Sequence, residues 1–423
     1  MFDIVVIGAG ISGATLAERY ASLDKKVLVI EKRDHIGGNC YDFYNQDGIL
    51  ISKYGAHLFH TNYEDVWEYV NRFADWYFYE HRVLAKVDGQ LVPIPVNITT
   101  VNKVFGLKLK TEQEMKQWLK KHQLPNQNPK NGEEAALARV GKVLYEKMFK
   151  NYTKKQWHKD PSALDASVLN RIPVRTTFDD RYFSDKYQYL PTGGYTKLFE
   201  KMLDRPHITV RLNTDYFDVK NELKGYQKLF FTGPIDRFFE FKYSLEHQLE
   251  YRSLNFVWET HDQEFYQQNA VINYPSSVDG DFTRIVEYKH FTKQKHPKTT
   301  ISKEYSTDYI PGENEPYYPV PNPQNRALYE KYQQEASQLT DIYFVGRLAN
   351  YKYFNMDEAF KNALDLFTRL EEKWVRNLGE FETIIKNYNI CFWKWPPKSA
   401  MHLPCKYGVS LSENVYLGFL KVG

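Results

Sequence analysis

Residues 2–31 open as Phe2-Asp3-Ile4-Val5-Val6-Ile7-Gly8-Ala9-Gly10-Ile11-Ser12-Gly13, run through a helical stretch past Arg19 and Tyr20, and close on Val27-Leu28-Val29-Ile30-Glu31. The two β-branched runs have the pattern of buried parallel strands. Between them lies Gly8-x-Gly10-x-x-Gly13, with an acid 18 residues past the last glycine. Strand, glycine turn, helix, strand and acid in this order form a dinucleotide fingerprint. Gly8 allows the tight turn, Gly10 lets backbone approach a pyrophosphate, and Gly13 lets helix pack on strand. Ile11 and Ser12 open the helix, whose first N–H groups face the anion. Glu31 can accept from ribose hydroxyls, with Lys32 beside it. The plain alternative is a glycine turn with no ligand, which the surrounding context disfavours.

Two further segments bear on the cofactor. Gly37-Gly38-Asn39 would bring a second backbone turn near the diphosphate. Gly346-Arg347 ends a strand-like run, Ile342–Val345, far along the chain and ahead of a helix. An NAD domain is usually contiguous, whereas this pattern draws on both ends of the chain. That favours FAD over NAD.

Working outward, Thr61-Asn62-Tyr63-Glu64 reads as a capping box, followed by Val66, Val70, Phe73 and Tyr77 at helical spacing. Residues 82–97 read as extended chain turning at Asp88-Gly89, with Pro93 and Pro95 restricting the second strand to an edge. Helix is expected over 111–157, with Leu137, Val140, Leu144 and Met148 on one face and a start near Asn131. Residues 205–232 and 245–310 read as strands. The proline-rich stretch 311–323 reads as a fixed loop. Ala359, Phe360, Ala363, Leu364 and Phe367 predict a helix.

Composition narrows the class. The 423 residues carry Lys+Arg 56 against Asp+Glu 53, a net charge of +3. That balance argues against a general nucleic-acid binder. No apolar run is long enough for a membrane span. Cys40, Cys391 and Cys405 are odd in number and far from metal-ligand spacing, which suggests a reducing compartment. The expectation is a cytoplasmic protein with no nucleic-acid or membrane partner and no metal. The 33 tyrosines outnumber both Phe (27) and Gly (22), a bias that calls for a cause.

Seven co-linear segments carry a resemblance. They are Arg33-Asp34-His35-Ile36-Gly37-Gly38-Asn39, Tyr54-Gly55-Ala56-His57-Leu58-Phe59-His60-Thr61, Tyr152-Thr153-Lys154-Lys155-Gln156-Trp157, Pro173-Val174-Arg175, Gly193-Gly194-Tyr195, Tyr317-Tyr318-Pro319 and Phe344-Val345-Gly346-Arg347-Leu348. With them the chain resembles the UDP-galactopyranose mutase family over roughly residues 1–372. The resemblance implies an α/β fold: a Rossmann-like FAD-binding domain, an inserted helical domain and an antiparallel β-sheet domain. The implied boundaries are 1–80 with 192–235 and 340–372 for FAD, and 98–172 for the helical substrate domain, with a mobile loop near 158–180. The sheet domain takes 81–97, 173–191 and 236–339, and 373–423 is an extension.

The implied activity is interconversion of UDP-galactopyranose and UDP-galactofuranose for cell-surface polysaccharide precursors, with no net redox change. Catalysis is covalent, through N5 of the reduced FAD, which an external electron donor must supply. A homodimer is compatible with it. The resemblance gives Arg175 and Arg284 to the sugar and diphosphate, and Arg252 to the nucleotide. Tyr318 and Tyr353 donate hydroxyls to the diphosphate. Tyr152 stacks on uracil, with Phe149, Thr153 and Trp157 nearby. Asn273 lies near the uracil and Tyr182 near the sugar. His57, Leu58 and His60 sit by the flavin ring; Gly38, Asn39, Arg347 and Met356 are further expected FAD contacts. An arginine fork suits a departing diphosphate because it is bidentate and always charged. For any single Tyr, Trp or Arg the bland reading is packing or surface charge; the surrounding motif is what outweighs it.

His57 and His60 also form an HxxH pair, but no third ligand accompanies it. Three departures qualify the resemblance. Asn355 stands where many family members carry an acid, and it equally suits the N-cap of the helix that follows. His81 stands where family members often show Asn. The last fifty or so residues lie outside the match. These leave open a related mutase acting on dTDP-fucopyranose or UDP-N-acetylgalactosamine. An amine-oxidase-like flavoenzyme shares only the N-terminal fingerprint and has no use for diphosphate-binding arginines.

Overall fold

The computed structural model describes residues 1–170, 173–243 and 248–387, with side chains described to residue 372. The chain packs as two units, Met1–Leu364 and Asp365–Gly423. In the second, backbone helix continues to Asn387. Cys391, Cys405 and most of the expected C-terminal extension lie outside the described residues, as do Arg171 and Ile172 of the expected loop.

The first unit is built on a parallel five-stranded sheet. Its order is Ile208–Arg211, Val27–Ile30, Ile4–Ile7, Lys228–Phe231, Ile342–Phe344. The strands at the centre are wholly buried, as their unbroken apolar runs require. Ile342–Phe344 is only half-buried, because it is an edge strand. Helix Ile11–Ala21 follows the first strand at once. Gly13 explains how closely they approach: a Cβ there would lie 1.9 Å from the Gly8 carbonyl oxygen.

The second sheet has seven strands. Its order is Tyr318–Pro319, Tyr251–His261, Thr299–Asp308, Arg284–Glu287, Val271–Asn273, Val83–Val87, Gln90–Ile94. All neighbours are antiparallel except Val83–Val87 with Val271–Asn273. Pro93 sits on the terminal strand, where a missing N–H costs nothing. The register sets Asn273 opposite Arg284 and Arg284 opposite Glu304. It also sets Arg252 between Asp308 and Tyr318. A small third sheet joins Phe59–Thr61, Tyr187–Pro191 and Trp76–Phe78.

The helical region comprises Ile98–Phe105, Glu112–His122, Gly132–Leu144, a π-helical turn Tyr145–Lys150, and Asn151–Trp157. Asn131 caps the third of these by accepting from the Glu134 N–H. The predicted apolar face does not run unbroken, because Gly141 (φ 76°) kinks the helix.

Other local expectations also shift. Thr61 does not cap the next helix. It pairs in a strand, and the short helix Glu64–Val70 starts from Tyr63 with no side-chain cap. Tyr77 lies in a strand, not on that helix. Only two stretches of 205–232 are strand, with helix Tyr216–Val219 between them. The proline-rich loop contains the short strand Tyr318–Pro319 and leads into helix Pro323–Ala336, which Asn322 caps and a proline opens.

Candidate active site

A cleft opens at the carboxyl ends of the parallel strands, where open α/β sheets hold their ligands. Gly8, Gly10, Ile11, Ser12, Glu31, Lys32, Gly38, Asn39, His57, Arg347 and Met356 line it. Of the expected cofactor contacts only Gly13 and Leu58 do not. Gly13 lies beneath the turn and sets its shape. The two glycine turns touch: a Cβ on Gly38 (φ 55°) would meet the Gly10 Cα at 2.8 Å. The Ile11–Ala21 helix has Gly10 at its N-cap and no side-chain cap, which leaves its first turn open to an anion. Glu31 pins the turn by accepting from the Ala9 N–H at 2.8 Å and the Arg33 N–H at 3.0 Å. This cradle fits the diphosphate of FAD.

Residues not foreseen complete the wall. Thr214, Asp215, Gly233, Pro234, Tyr309, Glu315 and Tyr317 all line the cleft. Gly233 and Pro234 follow a parallel strand, so the strand-end rule was a usable signal for them. Glu315 had none: it reaches across the fold to pair with Lys32 at 2.8 Å and Arg33 at 2.9 Å. Arg347 directs its guanidinium to the Phe354 and Tyr317 carbonyls and lies 5.1 Å from the Tyr353 ring centroid. It thereby shapes the loop leading to Asn355. The Asn355 N–H donates to Glu358 at 2.8 Å, and Asn355 also lines the cleft.

The two histidines diverge. The His57 Nδ1 lies 2.9 Å from the Gly55 carbonyl, so this nitrogen carries the proton and Nε2 is left to accept. Burial pushes the His57 pKa down to about 4, with Arg347 and Arg284 adding to the shift. His60 pairs with Asp185 at 3.1 Å and stacks on Phe183 at 3.6 Å. His81 is buried among the rings of Tyr79, Tyr182, Phe183 and Phe291, with its Nδ1 unpartnered and its pKa pushed down by burial to about 3.

A pH effect follows. His57 and His81 are neutral in the fold but titrate near 6.5 when unfolded. Below 6.5 the unfolded chain binds more protons, so their contribution to stability falls as pH falls toward 4. Acidification is expected to lower Tm, and His81→Phe to flatten part of that drop. Calorimetry of both proteins over this range checks it; parallel acid limbs would contradict it.

The expected substrate residues gather beside the cleft. Arg284 bonds through Nε to Glu304 at 2.5 Å, and Glu304 is 1% exposed. Arg284 stands opposite Asn273 and Glu304 in the sheet, and its charge acts to lower the pKa of both Tyr152 and His57. Tyr182, Glu304 and Tyr318 also act on Tyr152, whose hydroxyl burial pushes up to about 12. Trp157 packs edge-on to Tyr318 at 5.3 Å, and Tyr318 contacts Tyr353 at 6.0 Å. Thr153 and Phe149 are buried, Phe149 within the π-helical turn. The Asn273 Oδ1 and the Tyr318 hydroxyl are buried with no hydrogen-bond partner.

Two more of the expected arginines are engaged with other groups of the protein. Arg252 is 2% exposed and turns to the Gln156 carbonyl, Ser306 and Asp308. It braces the helix Asn151–Trp157, which carries Tyr152, the residue on which the resemblance stacks the base. Arg175 pairs with Asp179 at 2.9 Å and is largely buried.

Comparison with known proteins agrees with this geometry. The family model for UDP-galactopyranose mutase matches residues 147–353, and one for an NAD(P)-binding Rossmann-like domain matches 6–73. A probable UDP-galactopyranose mutase of Klebsiella pneumoniae is 40% identical, over 86% of this chain and 93% of its own length. A dTDP-fucopyranose mutase of Escherichia coli is 38% identical, over 86% and 97%. The crystal structure of a reduced UDP-galactopyranose mutase superimposes with a TM-score of 0.69 at 19% identity, over 88% of this chain and 96% of that one, which supports the fold. Cradle, arginine-centred cluster and near-full-length identity agree: the chain belongs to the UDP-galactopyranose mutase family, and is an FAD-dependent isomerase.

Proposed function

We propose that this enzyme interconverts UDP-galactopyranose and UDP-galactofuranose. The observation that carries the reading is the placement of Arg284, whose charge reaches both the cleft-lining His57 and the base-stacking candidate Tyr152. Bound and reduced, FAD would supply a nucleophile for the anomeric carbon. The protein's own residues then have to hold a nucleoside, stabilise a departing diphosphate and keep water out. Tyr152 offers a ring for the base, at about 1–3 kcal/mol for a stacked base. The free Asn273 Oδ1 can accept the imide N–H of a pyrimidine. Arg284, with Arg175 once released from Asp179, can take the diphosphate; Tyr318 and Tyr353 can donate to it. His57, neutral and accepting through Nε2, lines the cleft and would meet the flavin there without adding positive charge.

A second reading has support of its own. The dTDP-fucopyranose mutase is almost as similar, and His81 lies against Tyr182 near the expected sugar position. The two are separated by measuring kcat/KM of the dithionite-reduced enzyme on UDP-galactofuranose and on dTDP-fucofuranose. Preference for the UDP-sugar is expected; preference for the dTDP-sugar would replace the first reading with the second. An external electron donor belongs to this proposal, since redox-neutral turnover still requires the flavin to be reduced once. A homodimer, a cytoplasmic location and a role in supplying polysaccharide precursors belong to it as well. Among the described residues no helix is long and apolar enough to cross a membrane.

A further inference from the structure

Lys155 sits three residues past Tyr152, half-buried, and the reaction above gives it no role. Its ammonium has three donors and meets three backbone carbonyls: Tyr274 at 2.8 Å, Ser276 at 2.7 Å and Phe282 at 3.3 Å. These carbonyls belong to one loop, residues 274–283. That loop leaves the sheet immediately after Asn273 and re-enters it immediately before Arg284. Asn273 and Arg284 are cross-strand partners, so the loop is the hairpin that sets their relation. Its outer part is held separately, by Lys86 on Asp279 at 2.5 Å and by Tyr274 packed edge-on to Phe282 at 4.9 Å.

The other side of the same helical turn is also held. The Gln156 carbonyl accepts from Arg252 Nε at 3.2 Å and Ser306 Oγ at 2.5 Å. Helix Asn151–Trp157 is therefore fastened to two parts of the large sheet by adjacent residues. A lysine suits the first fastening because one atom can donate in three directions, whereas an arginine fork is planar.

We propose that Lys155 is a positioning residue for nucleotide recognition, fixing the helix that carries Tyr152 and Trp157 against the hairpin that carries Asn273 and Arg284. This rests on the nucleotide-sugar reading above. A base gripped between Tyr152 and Asn273 requires a fixed separation between helix and hairpin, and small misplacements of such groups are costly. Without the ammonium, three charge-assisted hydrogen bonds are lost and the carbonyls must find other partners.

The test is K155M and K155R in the full-length FAD enzyme, with UDP as probe. K155M is expected to raise the Kd for UDP and the KM for the sugar nucleotide about tenfold. Its kcat should change far less and its flavin content not at all. K155R should leave most of the defect in place. Wild-type Kd in K155M would overturn the proposal, and so would full rescue by K155R, which would make charge alone sufficient. Should K155M fail to retain flavin, hydrogen exchange on wild type decides: UDP should slow exchange in 151–157 and 274–283 together. Protection of only one segment would overturn it. Wild type that binds neither UDP nor dTDP would instead overturn the functional reading itself, and this proposal with it.

Discussion

Replacing Arg284 with alanine is expected to lower kcat/KM by about 10²–10³, the usual effect of losing one preorganised group that meets developing negative charge. Arg284 is the cation whose charge reaches both His57 and Tyr152. A departing diphosphate would keep only Arg175, which is itself paired with Asp179, since Arg347 is bound to backbone carbonyls and Arg252 to the Gln156 carbonyl. The substitution also strands Glu304, which is 1% exposed and has its other oxygen unpartnered. Removing one member of such a pair costs about 3 kcal/mol, the low end for buried pairs because Arg284 itself is 37% exposed. The two effects can be separated. Adding Glu304→Gln should recover much of the lost Tm and none of the lost kcat/KM. Recovery of both would reduce Arg284 to a structural role. Arg284→Lys should restore only part of the activity, because an ammonium cannot keep Glu304 and grip a diphosphate bidentately.

Gly13→Ala is expected to give a colourless protein. Its Cβ would sit 1.9 Å from the Gly8 carbonyl oxygen and 3.1 Å from Val6 Cγ1. The oxygen belongs to the glycine turn and cannot withdraw without disturbing the diphosphate cradle. The helix must therefore lift off the strand, carrying its first-turn N–H groups away from the cleft. Overpacking of this kind costs about 3 kcal/mol. Flavin absorbance of the purified variant and its Tm report the two consequences. A yellow variant of wild-type stability would show that the close helix–strand approach is not needed for flavin binding.

The N-terminal unit was legible because each local signal agreed with the others. β-branched runs, three glycines and a terminal acid point to one arrangement, and the cleft uses nearly all of them. What stayed hidden depended on contacts distant in sequence. Glu315 reaches Lys32 across 283 positions, and no local pattern announces it. Arg252 was visible as a candidate, but its bond to the Gln156 carbonyl was not, because it joins a strand to a helix 96 positions away. Thr61 had the right neighbours for a cap, yet strand pairing claimed it first. Helix Pro323–Ala336 carried its start signal in plain view, Asn322 before a proline, inside a stretch whose prolines suggested only loop. The tyrosine surplus divides in the same way. Tyr152, Tyr182 and Tyr318 cluster around Arg284, whereas Tyr20, Tyr145 and Tyr332 are fully buried core residues.

The most direct test of the account is a turnover count. The enzyme is reduced once under anaerobic conditions with a measured amount of dithionite, then given excess UDP-galactofuranose, and the products are separated. The account predicts UDP-galactopyranose in large excess over the reducing equivalents, with the flavin still reduced at the end. No product, or product limited to one per reducing equivalent with the flavin reoxidised, would contradict it.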